Sequence, residues 1–267
     1  MAIGLAESWQ LIVGGGFLIG FLVGLTGVGA GALTTPLLIT GVGLPPAIAV
    51  GTDLLFAAIT KASAAHRHHR LGNVDWPILR WLAAGSLPGA LMTLAWLTIT
   101  RPDTQVLALT IRKGLAVTLV ISAVAILVYP WIMRHRCEWA GGVGEAPTTR
   151  KLSTFAFGLL LGVLVTLTSI GAGSIGVTVL TALYPGLIMR RLVGTDIVHA
   201  IPLTVVSGLG HAHLGHVDLG VLVMLLAGSL PGIALGSRVT GLVPDWVLRL
   251  VLAVVMLNAG YMLLPKA

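Results

Sequence analysis

Two aspartates stand in apolar surroundings. Asp53 lies in AVGTDLLFAA and Asp196 in LVGTDIVHA, each directly after Gly-Thr. A charged Asp near the centre of a membrane helix costs about 2.5–3.5 kcal/mol on insertion scales. Two at matching positions therefore imply a polar cavity, a partner or a bound proton. The chemistry to expect is proton or cation coupling, or polarisation of a substrate path. Helix capping is the plain alternative, but each Asp lies about seven residues into its apolar run, deeper than a cap. Lys61 and His199 are candidate partners. Lys61 could equally extend its ammonium towards the basic stretch at 66–70.

Two glycine-rich breaks offer a different chemistry. They read Gly27-Val28-Gly29-Ala30-Gly31 and Ser169-Ile170-Gly171-Ala172-Gly173-Ser174. Glycine lets the backbone unwind and a ligand approach it closely. A helix starting just beyond presents free N–H groups and a partial positive charge, which suits an anion. Hydroxyls stand nearby. The candidate substrate contacts are Gly29, Gly31, Thr34, Thr35, Thr52, Ser169, Gly171, Gly173, Ser174 and Thr195, with Thr178 as a further hydroxyl. The competing account is close helix packing, for which small residues are common in membranes. A dinucleotide fingerprint is excluded because no βαβ pattern surrounds either break.

Other polar groups carry plainer expectations. Asp75 and Asp218 each follow Leu-Gly-X-Val and precede an apolar run, the placement of N-caps. His66, His68 and His69, and His211, His213 and His216, form two clusters without a Cys or acid at zinc-like spacing. They read as interfacial loop residues. No HExxH, GxSxG, Walker A or CxxC motif occurs. No catalytic residue, metal ligand or cofactor is assigned, and the chain is not expected to be an enzyme.

The elements that must hold these residues are set by composition. Of 267 residues, 56% are hydrophobic and only 9% charged, with 35 glycines besides. A soluble domain is about 25% charged, so too few polar side chains exist to cover a soluble surface. Repeated apolar runs of about 20 residues read as membrane helices. The net charge of +7 sits in short clusters at 67–70, 134–136, 150–151 and 190–191, between apolar runs, which argues against nucleic acid as a partner. Only Glu7 precedes the first run as a charge, so that run reads as a membrane segment rather than a signal peptide.

The chain also repeats itself. Residues 51–92 and 194–235 share 17 identities in 42 positions, 143 residues apart. LTGVGAG at 25–31 matches LTSIGAG at 167–173 with an offset of 142. The expected organisation is a first membrane repeat (1–133), a basic linker (134–151) and a second repeat (152–267). Each half carries five apolar segments: about 9–25, 32–40, 46–65, 76–99 and 105–131, then 152–168, 174–184, 187–208, 218–237 and 245–264. The second of each is too short to cross a ~30 Å core at 1.5 Å per residue. Short interrupted segments at matching positions of two repeats point to a transporter binding site.

Placing 66–73, 134–151, 185–191 and 238–245 in the cytoplasm satisfies the Lys/Arg bias, with Arg101, Arg112 and Lys113 as misfits. That requires an odd number of crossings per half, hence an inverted repeat with both ends outside. If the short segments instead dip in and return, each half crosses four times and the repeats are parallel.

The ordered, duplicated motifs resemble a known family. A Gly-rich break, AVGTDLL, LGNVDW and GSLPGALM, then SIGAGS, LVGTDIV, LGHVDL and GSLPGIAL, are similar to the sulfite exporter TauE/SafE family of bacterial membrane proteins. The resemblance implies an inner-membrane carrier with about eight crossings, linked to export of sulfite and other small sulfur-containing or organic anions. Two features depart from the family pattern. Gly-Ala-Gly replaces three consecutive glycines, and Asp follows Gly-Thr where the family usually has Ser.

The expectation is thus an all-α, polytopic transporter in the lipid bilayer, exporting a small anion, with Asp53 and Asp196 either tuning the site or carrying coupled protons. A cation or divalent-metal carrier using the two Asp residues is the alternative. An intramembrane enzyme lacks a catalytic set, and an accessory subunit would not need buried carboxylates. A homodimer stays open as the assembly.

Overall fold

The computed structural model describes residues 5–26, 31–139, 148–239 and 244–264. Among these the chain is helical throughout: α1 (Leu5–Thr26), α2 (Gly31–Pro36, continued by a π-helical turn Leu37–Gly41), α3 (Pro46–Arg70), α4 (Trp76–Thr100), α5 (Thr104–Trp139), α6 (Thr148–Thr168), α7 (Ser174–Leu183), α8 (Met189–His213), α9 (Leu219–Arg238) and α10 (Asp245–Leu263). Eight helices are long and apolar enough to span a bilayer; 31–41 and 174–183 are the two short ones. All ten expected segments are present as helices. Helix α5 runs on to Trp139, and α6 starts at Thr148, so the expected linker 134–151 overlaps both; 140–147 lie outside the described residues.

The helix starts follow local chemistry. Asp75 Oδ1 accepts from the Ile78 N–H at 3.2 Å, and Asp218 Oδ1 from the Val221 N–H at 3.0 Å, so both are N-caps as expected. Pro46 opens α3 where its missing N–H is not needed. Pro36 lies inside the first short helix, and the turn after it is π-helical, in keeping with the loss of a helical donor at proline.

The two halves are interleaved. Helix α1 of the first half packs on α9 of the second, and α4 packs on α6. Glycines set both contacts. Gly16, Gly20 and Gly24 on α1 meet the main chain at Leu225, Ser229 and Ile233 of α9, and Gly228, Gly232 and Gly236 on α9 meet it at Val13, Phe17 and Phe21 of α1, each set at spacings of four; a Cβ on Gly20 would overlap the Ser229 main chain. In the same way Gly85 and Gly89 of α4 meet the main chain at Phe155 and Leu159 of α6, and Gly158 and Gly162 of α6 meet it at Leu82 and Ser86 of α4. Small residues every fourth position let backbones touch, the usual source of helix association where apolar burial is not a driving force.

The repeat-equivalent helices α3 and α8 run antiparallel along each other at the centre. Gly51 abuts His216, Leu55 abuts Gly208, and Asn73 abuts Gly194. Helices α5 and α10 are also antiparallel, with Gly260 near Ala116 and Arg249 over Tyr129. Their connections sort to two ends. The 71–75 turn meets the start of α8, since Thr195 Oγ1 accepts the Asp75 N–H at 2.8 Å. At the other end Thr52 Oγ1 accepts the Asp218 N–H at 3.0 Å.

Candidate functional site

Gly31, the last residue of the first break, meets the second break inside the bundle. Gly31 lies so close to the Ser169 carbonyl that a Cβ there would overlap it. Ser169 is in the left-handed region (φ 59°), and Gly171 and Gly173 follow at φ 130° and 118°. Only glycine adopts those last two conformations without strain, so the second break is built by its glycines. Gly29 lies outside the described residues, with Gly27, Val28 and Ala30.

Both aspartates face this junction and are fully buried. The Thr35 hydroxyl donates to Asp53 Oδ2 at 2.5 Å, while Oδ1 has no hydrogen-bond partner. The Thr34 and Ser169 side chains also stand beside the Asp53 carboxyl. Asp196 lies flat against α7: a Cβ on Gly176 would overlap its Oδ1, and the Gly173 main chain is alongside. Neither Asp196 oxygen has a hydrogen-bond partner. Each carboxylate therefore occupies the opening turns of the short helix in its own half.

Lys61 joins the halves. Its Nζ donates to the Ala172 carbonyl in the second break at 3.3 Å, so it turns inward rather than towards the basic stretch. It acts electrostatically on both Asp53 and Asp196 but lies outside ion-pair distance of either. The equivalent residue in the second half is Thr204, so one ammonium serves two carboxylates. His199 is near Lys61 and buried; its Nε2 is 2.7 Å from Ser86 Oγ, and Nδ1 has no partner.

Ser174 and Thr178 sit on α7 beside Asp196, with the Thr178 hydroxyl donating to the Ser174 carbonyl at 2.7 Å. Thr52 and Thr195 are placed differently from the other candidate contacts. Their hydroxyls accept the main-chain N–H of Asp218 and Asp75, so they brace each half against the cap of the other.

The histidines need correction: His66, His68 and His69 lie at the end of α3 and His213 ends α8, so of the six only His216 is in a turn. His211 is not a loop residue: it lies in the last turn of α8 and is buried. Its Nε2 is 2.9 Å from the Thr166 carbonyl, which can only accept, so Nε2 carries the proton. Its Nδ1 then accepts from His216 Nδ1 at 3.3 Å. Burial pushes the pKa of His216, in the turn beyond α8, downward. Among the described residues no three His, Cys, Asp or Glu side chains converge as a metal site. The sequence reasoning passed over Ser86, whose signal was the repeated GSLPG motif. It also passed over Arg249, a lone cation in an apolar run.

The model of one family, described as sulfite exporter TauE/SafE, matches residues 12–263. The chain belongs to the sulfite exporter TauE/SafE family. Its curated relatives agree. The probable membrane transporter protein YjnA of Bacillus subtilis is 34% identical over 249 residues, covering 93% of this chain and 97% of the relative. The probable membrane transporter protein YdhB of the same organism is 29% identical over 255 residues, again covering 93% and 97%. A probable membrane transporter protein of Haemophilus influenzae is 40% identical over 75 residues, 26% of this chain and 28% of the relative. No solved structure matches the chain. This TauE/SafE protein is a multi-pass membrane transporter, not an enzyme.

Proposed function

We propose that the protein is a secondary transporter of the inner (plasma) membrane that exports a small anion, sulfite or a related sulfur-containing or organic anion, through the junction of the two breaks. The observation that carries this is the position of Lys61, a single ammonium held at the second break within the field of two buried carboxylates. The anion's proposed contacts are Lys61, the main chain at Gly29, Gly31, Gly171 and Gly173, and the hydroxyls of Thr34, Thr35, Ser169 and Ser174. Thr52 and Thr195 support the frame.

Charge counting gives the coupling. Two carboxylates and one ammonium sum to −1, so a bound anion would enter a site already negative. Protonation of Asp53 or Asp196 removes that repulsion and frees the short-helix turns that the carboxylate occupies. Each anion is therefore accompanied by at least one proton. The antiparallel run of equivalent helices supports an inverted repeat, the architecture of alternating access. The end holding 71–75 and the start of α8 is assigned to the cytoplasm by its arginines.

Flux of labelled sulfite in proteoliposomes tests the proposal. Sulfite movement that is accelerated by a proton gradient supports it. Transport of a divalent metal with no flux of any anion overturns it in favour of a cation carrier.

A further inference from the structure

A cavity of about 260 Å³ lies between α1, α5, α7, α8 and α10. Its polar residues gather at two levels. At one are Asp245, Arg249 and Tyr129; at the other are Ser174, Thr178 and Asp196, beside the candidate site. The rest of the lining is apolar apart from Thr26 and includes Ile126, Val177 and Leu252.

Arg249 is held but not spent. Its guanidinium carbon stands 5.0 Å above the Tyr129 ring. Its link to Asp245 is one contact at 3.9 Å, and the Asp245 side chain is 86% exposed. An arginine presents five donors in a planar fork suited to oxyanions, and the remote, solvated Asp245 competes weakly for them. Tyr129 in turn donates to the Met189 sulfur at 2.9 Å, which fixes this level at the start of α8.

Among the described residues the matching positions of the first half are buried. Gly173, Val177, Val193 and Ile197 are partly exposed, while their repeat equivalents Gly31, Thr35, Val50 and Leu54 are buried. A cavity beside one carboxylate and burial of the described residues around the other set the two sides of the central site apart.

We propose that this cavity is an oxyanion vestibule, with Arg249 its anion-binding residue, and that it feeds the Asp196 side of the junction while the Asp53 side is closed. The ligand class is a small tetrahedral or pyramidal oxyanion. The proposal rests on the transport reading for its direction, but binding at Arg249 can be measured without transport.

The test uses the full chain in detergent with Cys137→Ser as background. Ser174→Cys should react with a charged methanethiosulfonate, and millimolar sulfate, a tetrahedral oxyanion inert towards the reagent, should slow that reaction. Ala32→Cys, its repeat equivalent, should stay unreactive. Arg249→Gln should raise the sulfate concentration needed for protection by about tenfold or more, the loss of a charge-assisted hydrogen bond, and Arg249→Lys should recover part of it. In proteoliposomes the same change should raise KM more than it lowers kcat. Protection that is equal in wild-type and Arg249→Gln backgrounds, or Ala32→Cys reacting as fast as Ser174→Cys, overturns the vestibule. Absence of sulfite flux by the wild type, with Arg249-dependent protection intact, overturns the transport reading and leaves the vestibule standing.

Discussion

The ammonium of Lys61 donates to the main-chain carbonyl of Ala172 at 3.3 Å. Helix α3 of one half is thereby tied to the break of the other, and the cation stays where two carboxylates compete for it without either closing an ion pair. A lysine so placed can transfer its hydrogen bonds to an incoming anion at little structural cost.

Replacement of Lys61 tests that role. Lys61→Gln keeps a donor and removes the charge, and should slow sulfite transport by about 10–100-fold, the range for a charge-assisted hydrogen bond. Lys61→Arg should retain part of the activity. Sulfite flux by Lys61→Gln equal to wild type would show that the ammonium does not face the anion.

The paired carboxylates separate coupling from binding. Asp53→Asn and Asp196→Asn remove charge with little change of shape. Either should abolish acceleration by a proton gradient, while exchange of sulfite for sulfite persists. If both modes weaken together, the carboxylates only polarise the cavity. Unaltered gradient-driven transport in both variants removes the coupling idea.

The caps make a stability prediction with a built-in cross-check. Asp75→Ala and Asp218→Ala should each cost about 0.5–2 kcal/mol. Thr195→Val removes the acceptor of the Asp75 N–H, so the double change with Asp75→Ala should be non-additive, as expected for residues in one hydrogen-bonded unit. Thermal melts in detergent measure all four variants.

Glycine contacts give a paired control. Gly20→Ala drives a methyl into the Ser229 main chain, whereas Gly14 has nothing within 4 Å of such a methyl. Overpacking costs about 1–3 kcal/mol. Gly14→Ala should be neutral or stabilising by up to about 1 kcal/mol, the helix-propensity difference. Equal melting shifts for the two would mean that the α1–α9 contact is loose.

Sidedness is checked by cysteine labelling. Arg190→Cys should be reached from the cytoplasm and Gly215→Cys from the periplasm. Labelling of both from one face would contradict α8 as a membrane span, and exchanged faces would reverse the orientation.

The helices were readable from the sequence because each apolar run is bounded by Gly, Pro, Asp or charge. The end of α5 was not: Arg134, His135 and Arg136 end the apolar run, yet the helix continues past them to Trp139. Asp53 and Asp196 declared themselves by the cost of a charge in lipid. The partners of the glycine stripes stayed hidden, because spacing shows that a helix is approached closely and not by which helix. His211 looked exposed from its neighbours His213 and His216, but Gly51 of α3 packs against it. That contact joins residues 160 apart in sequence. Lys61 was ambiguous for a related reason: the length of its side chain permits either direction, and only the position of the second break decides.

The interleaving of α1 with α9 has a consequence for biosynthesis. The glycines that α1 needs are encoded about 200 residues downstream, so at 5–20 residues per second the ribosome delivers them about 10–40 s after α1 emerges. During that interval the Gly16–Gly24 stripe faces lipid or another protein, and α4 waits likewise, more briefly, for α6. The nascent first half is thus a chain of helices with open seams. An insertase or chaperone that shields small-residue faces would protect it until the last third of the polypeptide arrives.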